Sequence, residues 1–462
     1  MSLDLNDYFK LGLESTNNPL QNSLVNTIRT PTDTNSAALN RITFKCPKVG
    51  MLTADSVLSL QFVQTTAGGS NATVNLVNGA LGAIRRFRIL LGGGQILTDL
   101  EYPSLLTTNS LYSTHTQTQL QDYQQFMIGN QFVTDTQSDT GLEQVSDNLR
   151  IRQGAVQSEI ISNNIRDASN SHVFGIPLRL LGAQFLDAAS LPVFLLGGRE
   201  MVFEITFHDD CREYAVGGGI NTLQKGSIEV NLPRCELVTT HIMLPDQIEM
   251  AEMNNLLTRP VQYPLIDNYV IRAVTNNENV NAANNSLYRL NLQHKELHKL
   301  LAVFRNQTPE SDSEGCANQK ALALGDYSLQ IKMNGQNVFE RPVVNAAMFY
   351  QLLTYYNGGL ALKAPYNVVN VNNHSINNMN QNDQDLYLDA RGSMGQIGVD
   401  FSNGNLGIFG AGTQQRVALE YDITITPRTA NNPVQTGQKD LLFYASVSKL
   451  LSIGAQKIEI SF

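Results

Sequence analysis

Two stretches decide how this chain is read: "ILLGGGQILTDLEYP", Ile89 to Pro103, and "LQIKMNGQNVFERP", Leu329 to Pro342. Each opens as an alternating strand, turns at Gly-Gln, resumes as a short apolar strand and meets a proline. Gly-Gln with a preceding Gly or Asn marks a hairpin turn. A helical pattern follows each proline: "SLL" from Ser104 and "AAMFYQLLTYY" from Ala346, with Asn345 expected as cap and Asn357-Gly358 as stop. The two Gly-Gln pairs are 241 residues apart (335 − 94). A second echo, "FEITF" at Phe203 and "YDITI" at Tyr421, comes in the same order with an offset of 218 (421 − 203). The difference between the offsets fits an insertion in the first half around 134–164. Two echoes in one order point to a tandem duplication.

Strands dominate the rest. "VFEITFH", "ALEYDITIT", "GSIEVNL", "YSLQIKM", "LYRLNLQ" and "QKIEISF" alternate apolar and polar residues with period two, the mark of antiparallel sheets in a sandwich. One longer helix is predicted over "DQIEMAEMNNLL", with Asp246 as cap, Ile248, Met250, Met253 and Leu257 as its apolar side, and Pro260 as its stop. It falls where a connector between two halves belongs. Long polar insertions at 134–164, 275–285, 307–319 and 366–384 separate the strands and suit interaction surfaces.

Composition narrows the function. Of 462 residues, 42% are hydrophobic and only 16% charged, so a large core carries an unusually uncharged surface. A net charge of −9 argues against a chain that wraps nucleic acid. The first 50 residues carry no basic arm, and "MSLDLNDYFKLGLES" lacks the basic start and apolar core of a signal peptide. Synthesis in a reducing compartment follows, so Cys46, Cys211, Cys235 and Cys316, unpaired in spacing, are expected to be free thiols.

Candidate chemistry is sparse. "HKELH" puts His294 and His298 four apart, but Glu296 is in the middle and the flanks read as strand, which separates the two imidazoles. No His-x-His pair suits a metal-dependent cupin, and the chain has no Trp for a sugar platform. "LLGGGQ" and "AVGGGI" lack the Lys-Ser/Thr of a phosphate loop and read as turns or bulges. Arg85, Arg86 and Arg88 form a small basic patch, read as an inter-subunit pairing site. No catalytic, cofactor-binding or metal-binding residue is assigned, no cofactor is expected, and the chain does not read as an enzyme.

The segments "RFRILLGGGQILTDLEYPSLL", "IPLRLLGAQFLDAASLPVFLLGGREMVFEITF" and "LQIKMNGQNVFERPVVNAAMFYQLLTYY" resemble the matching parts of the double jelly-roll major capsid proteins of tailless icosahedral double-stranded DNA viruses. The extra Gly of the first turn and the 134–164 insertion depart from that pattern. The resemblance implies an all-β fold of two tandem eight-stranded jelly rolls side by side, with a few short helices in loops. It divides the chain into an N-terminal arm (1–28), a first jelly roll (29–243), a connector helix (244–260) and a second jelly roll (261–462). It also implies a homotrimeric capsomer in a virion shell, made inside the host cell. Its partners would be neighbouring capsomers, penton and minor or cement proteins, and an internal membrane reached by the arm, without sequence-specific nucleic-acid binding. The alternative is a tandem β-sandwich that binds or processes glycans.

Overall fold

The computed structural model describes residues 24–32, 40–64, 73–76, 79–92, 94–107, 173–188, 190–218, 225–226, 228–275, 284–292, 297–306, 326–333, 335–343, 352, 356, 396–401, 417–426, 439–455 and 457–461. The first part of the chain contributes β1 (Leu24–Pro31), β2 (Arg41–Lys45), β3 (Met51–Leu52), β4 (Val57–Gln64), β5 (Thr73–Leu76), β6 (Ile84–Leu91), β7 (Gln95–Glu101), β8 (Val173–Pro177), β9 (Met201–Phe207), β10 (Ala215–Gly218), β11 (Ile228–Val230) and β12 (Glu236–Met243). A helix over Asp246–Thr258 follows. The second part contributes β13 (Val261–Thr275), β14 (Asn284–Leu292), β15 (Leu297–Asn306), β16 (Asp326–Met333), β17 (Gln336–Asn337), β18 (Gln396–Asp400), β19 (Val417–Thr426), β20 (Lys439–Ile453) and β21 (Ile458–Ser461).

Two sandwiches share one sheet. The order β18-β15-β20-β13-β7-β6-β9-β2 runs without a break, with β21 beside β20. Its first-part strands face a six-stranded sheet built on β1-β12-β4-β11, with β3 and β8 attached, while β14-β19-β16-β17 forms a separate sheet in the second part. One core gathers Phe44, Leu60, Phe62, Phe87, Phe174, Phe203 and Ile205 of the first part. Another gathers Leu300, Ala302, Leu329, Ile331, Val399, Leu441 and Phe443 of the second. Burying a side chain of this size removes roughly 1.5–3 kcal/mol of apolar exposure, so each sandwich has the material to hold itself together.

β13 and β20 stitch the two parts. They pair antiparallel over their whole length, from Val261↔Ile453 to Thr275↔Lys439. Fifteen residues at ~3.3 Å each make a ribbon roughly 50 Å long. At one end Leu441, Phe443 and Ala445 enter the second core; at the other Tyr263, Leu265, Leu451 and Ile453 enter the first.

The two Gly-Gln turns are hairpins. Leu91 pairs with Gln95, leaving a three-residue loop, and Met333 pairs with Gln336, leaving two. Gly94 has φ +81° and Gly335 φ +83°, the left-handed conformation that only glycine adopts without strain. After the first turn, residues 103–107 are helical. Of the second expected run, Leu352 and Tyr356 are described and are helical and buried; the cap expected at Asn345 lies outside the described residues.

Three expectations need correction. Residues 24–28, assigned to the arm, belong to β1, which pairs with β12 from Leu24↔Met243 onward; this strand is held by its ladder rather than by a buried face, so alternation did not reveal it. Asp246 is not the cap of the 246–258 helix: Pro245 is, and its carbonyl accepts from the amides of Ile248 and Glu249. The helix also packs by a different side. Ile248 and Leu256 face the first core, whereas Met250, Met253 and Leu257 are exposed.

Candidate functional site

Buried polar groups collect at the joint between the two sandwiches, Thr98, Asp267, Asn268, Arg305 and Lys449 among them. Only one backbone bridge, the parallel pair Tyr269↔Asp99, links β13 to β7. Side chains supply the rest.

The centre is an ion pair. Lys449 of β20 places Nζ 2.5 Å from Oδ2 of Asp267 on β13, with both side chains buried. Their remaining hydrogen-bonding capacity is met across the joint: Lys449 Nζ also donates to the Leu97 carbonyl (2.9 Å), and Thr98 Oγ1 donates to Asp267 Oδ1 (3.2 Å). Burial raises the Asp267 carboxyl above its ordinary range, while the lysine and the hydrogen bonds pull the other way. Beside the pair, Asn268 Nδ2 donates to Gln184 Oε1 (3.1 Å) and accepts at Oδ1 from Ser446 (2.9 Å). Towards the first core, Tyr263 donates to the Ser190 carbonyl (2.8 Å) and Arg199 to the Gly454 carbonyl (3.2 Å).

A second knot surrounds Tyr102, the residue before the proline of the first echoed unit. Leu100, Tyr102, Leu105 and Leu106 pack with Leu301, Val303, Leu442, Tyr444 and Tyr356 in a third apolar cluster. β15 and β20 are therefore buried on both faces along this stretch, since Leu300 and Ala302 point into the second core and Leu301 and Val303 into the joint. Tyr444 donates its hydroxyl to the carbonyls of Tyr102 (3.0 Å) and Glu101 (3.2 Å). The Arg305 guanidinium, buried, stacks 3.6 Å from the centre of the Tyr102 ring. Tyr102 itself has φ +50°, a strained value for a non-glycine residue, held from both sides of the joint. His208 lies 5.7 Å from the same ring and pairs through Nδ1 with Glu213 at 2.6 Å. Burial pushes the His208 imidazole below its ordinary value. Burial alone would raise Glu213, but the hydrogen bond and charge of His208, with Arg305 behind, hold it low.

The residues singled out from sequence find other places. Arg86 makes a two-pronged pair with Asp99 (2.6 Å for each bond), Arg88 reaches Glu204 at 2.7 Å, and Arg85 is 3.9 Å from Asp209. Each base of the patch thus has a carboxylate partner within the chain. His298 sits at an irregularity of β15 and contacts Ser448 Oγ at 2.6 Å; His294 and Glu296 lie outside the described residues. Among the described residues no cluster of His, Cys, Asp or Glu could hold a metal, and no helix is long and apolar enough to cross a membrane. Cys46 and Cys235 are free, and they and Cys211 are buried, with burial pushing Cys46 to about 12 and Cys235 to about 11; Cys316 lies outside the described residues. The joint itself was missed by sequence reasoning. Its signal was present as single charges inside apolar runs: Arg305 in "LLAVFRN", Lys449 in "ASVSKLL" and Asp267 in "YPLIDNYV".

No protein-family model and no curated protein matches this chain. Solved structures do. A chain of the PBCV-1 virus capsid superposes with a TM-score of 0.57 at 14% identity, over 96% of this chain and 97% of that one. A chain of the Sputnik virophage gives 0.55 at 12% identity, over 95% and 88%. The fold is a double jelly roll. The Faustovirus major capsid protein shares it with a TM-score of 0.51 at 10% identity, over 94% and 91%. At these identities the likeness is one of fold, over nearly the whole of each chain.

Proposed function

We propose that this double jelly-roll chain is the major capsid protein of an icosahedral double-stranded DNA virus, and that its homotrimers are the lattice units of the shell. One observation carries the reading: two jelly rolls joined through a common sheet and a buried joint, on a fold shared over nearly its whole length with a chain of the PBCV-1 capsid. Three such blocks place six barrels around a three-fold axis and give the pseudo-hexagonal outline that a lattice position needs. A cyclic trimer repeats one heterologous interface until the ring closes, leaving no open end. Obligate interfaces of this kind bury roughly 2,000 Å² or more and favour surfaces with few charges to desolvate. With 16% charged residues, this chain has such a surface.

In this reading the chain divides into an arm before β1, a first jelly roll to about residue 243, the connector over 244–260 and a second jelly roll over 261–462. The partners are neighbouring capsomers, penton and cement proteins and an internal membrane, and the protein resides in the virion without catalysing a reaction. No observation favours the glycan-binding alternative. Light scattering on the purified protein tests the proposal: the expected mass is three times the 50.9 kDa chain, unchanged on dilution to nanomolar concentration, with hexagonal particles in negative stain. A monomer at micromolar concentration overturns it.

A further inference from the structure

His241 of β12 is a buried histidine that the joint does not use. It shares a face of the strand with Leu237 and Thr239, and all three are buried. Across the ladder it lies opposite Leu52 of β3, which is buried, and opposite Asn26 of β1, which is exposed. The ring therefore sits at the rim of the first core, one strand in from the sheet edge. Neither Nδ1 nor Nε2 has a hydrogen-bond partner among the described residues. A neutral imidazole has one donor and one acceptor to satisfy, and here both capacities are unmet. The loop before β3 is already packed hard on β12: a Cβ added at Gly50 would lie 2.3 Å from the Ile242 carbonyl oxygen.

Among the described residues no charge stands ready to pair with a proton on that ring. On β12 itself Glu236 is at the far end of the ladder, opposite Pro31, and on β1 the one charged residue, Arg29, is opposite Val238. β3 and β4 carry no charged residue. Asp55, ahead of β4, engages Thr240 through its backbone carbonyl, and Lys48 reaches the Gly198 carbonyl at 3.2 Å. Two influences act on the His241 imidazole: burial lowers it, and the Val49 backbone raises it by less. The carboxylates of the connector helix, Asp246, Glu249 and Glu252, are not among them. Charge on a buried, unpaired ring is costly, so the closed sheet keeps His241 neutral.

β1 is the element that can give way. It is the edge strand of its sheet, and the exposure of Val25, Asn26, Thr27 and Arg29 leaves it little buried surface. Its main hold is the backbone ladder to β12, from Leu24↔Met243 to Pro31↔Glu236, with a 3.4 Å bond from Thr239 Oγ1 to the Ile28 carbonyl. A strand with so few buried contacts opens locally without unfolding the rest. Lifting it bares the rim of β12 to water, where the ring takes up a proton at its ordinary value near 6.5. The open state therefore binds the proton first as pH falls, and acid favours opening. We propose that β1 is an acid-released strand with His241 as its latch: a proton is accommodated on the ring only when β1 leaves β12. The inference concerns this sheet alone and does not rest on the capsid reading.

Hydrogen exchange of the full-length protein at pH 7.5 and 5.5, corrected for the intrinsic pH dependence of amide exchange, reads the opening strand by strand. The β1 amides are expected to lose about tenfold in protection over that interval, the factor that one group of ordinary value near 6.5 supplies when only the open state binds its proton. Amides of β13 and β20 report whether the remainder stays folded. In folded His241→Leu protein the protection of β1 should no longer change with pH, whereas His208→Gln, which removes the other buried imidazole held low, should leave the β1 response in place. Protection of β1 that is constant in the unsubstituted chain, or that falls equally in folded His241→Leu, overturns the proposal. Isotope-labelled histidine supplies a readout that needs no folded variant. A His241 ring that titrates with a midpoint near 6.5 while the β1 amides remain protected overturns the latch; a ring that charges only as β1 loses protection supports it.

Discussion

The hairpin with the Gly-Gln turn occurs twice, and the two copies meet different surroundings. In the first, β6 and β7 lie inside the shared sheet, and β7 supplies Leu97, Thr98 and Leu100 to the joint before the chain reaches Tyr102. In the second, β17 is a two-residue edge strand whose Gln336 and Asn337 are exposed. The turn glycines match to within two degrees of φ, so the local geometry is common to both while the surroundings are not. Local turn chemistry is satisfied by a few residues, whereas what a hairpin packs against depends on which sheet edge it meets. The turn is common to both; the sheet it enters gives one copy the joint and sets the other at an edge.

That contrast breaks most visibly at the ion pair behind the first copy. Asp267→Ala leaves Lys449 buried without its carboxylate and is expected to cost roughly 3–5 kcal/mol in chemical denaturation. Replacing both members, Asp267→Leu with Lys449→Met, is expected to recover most of that loss, because apolar side chains of similar volume incur no desolvation cost. Glu340→Ala, in the exposed stretch after the second copy, is expected to change stability by less than about 0.5 kcal/mol. A double variant as unstable as Asp267→Ala would mean that the joint needs these charges and not merely their volume.

The corner at Tyr102 gives the next effect, and its sign follows from His208. The folded chain holds this imidazole below its ordinary value, so the unfolded chain takes up the proton first as pH falls. Stability is therefore retained above about pH 6.5 and declines below it, by at most about 1.4 kcal/mol per pH unit for one group. Glu213, held low, adds a loss of the same sign only below its ordinary value near 4.5. Between those limits His208→Gln is expected to flatten the profile measured by thermal unfolding. A profile equally steep in the variant would place the sensitivity elsewhere.

How far the sequence revealed these features differs from one to the next. The Gly-Gln hairpins were legible because positive φ narrows the choice of residue, and β9 was legible from Phe203, Ile205 and Phe207. The connector helix was legible as a helix but not in its orientation. Periodicity finds apolar stripes without saying which of two faces the core, and here Leu256 is in while Met250 and Leu257 are out. Glu204, a polar position in the alternation of β9, is buried because Arg41 and Arg88 of the flanking strands close over it. The joint was hidden for a related reason: its partners are distant in sequence, as with Thr98 and Asp267, and no local pattern announces a long-range pair.

The smallest effect returns to the turns themselves and sharpens the comparison most directly. A Cβ added at Gly94 or Gly335 would meet nothing within 4 Å, so alanine there tests backbone conformation alone. Each has φ near +80°, where an L side chain costs about 1–2 kcal/mol. If the two hairpins are the same unit in different surroundings, Gly94→Ala and Gly335→Ala should lower stability by similar amounts, since neither involves packing. The three-residue loop at Gly94 has one more residue over which to spread the strain than the two-residue loop at Gly335. Any difference should therefore run towards a smaller loss at Gly94, although its hairpin is the one built into the joint. A clearly larger loss at Gly94 would show that the turn transmits strain along β7 to Thr98 and Tyr102, so that local geometry and joint could not be separated. Denaturant midpoints of the two single variants and of the double, which should be additive at this separation, distinguish the outcomes.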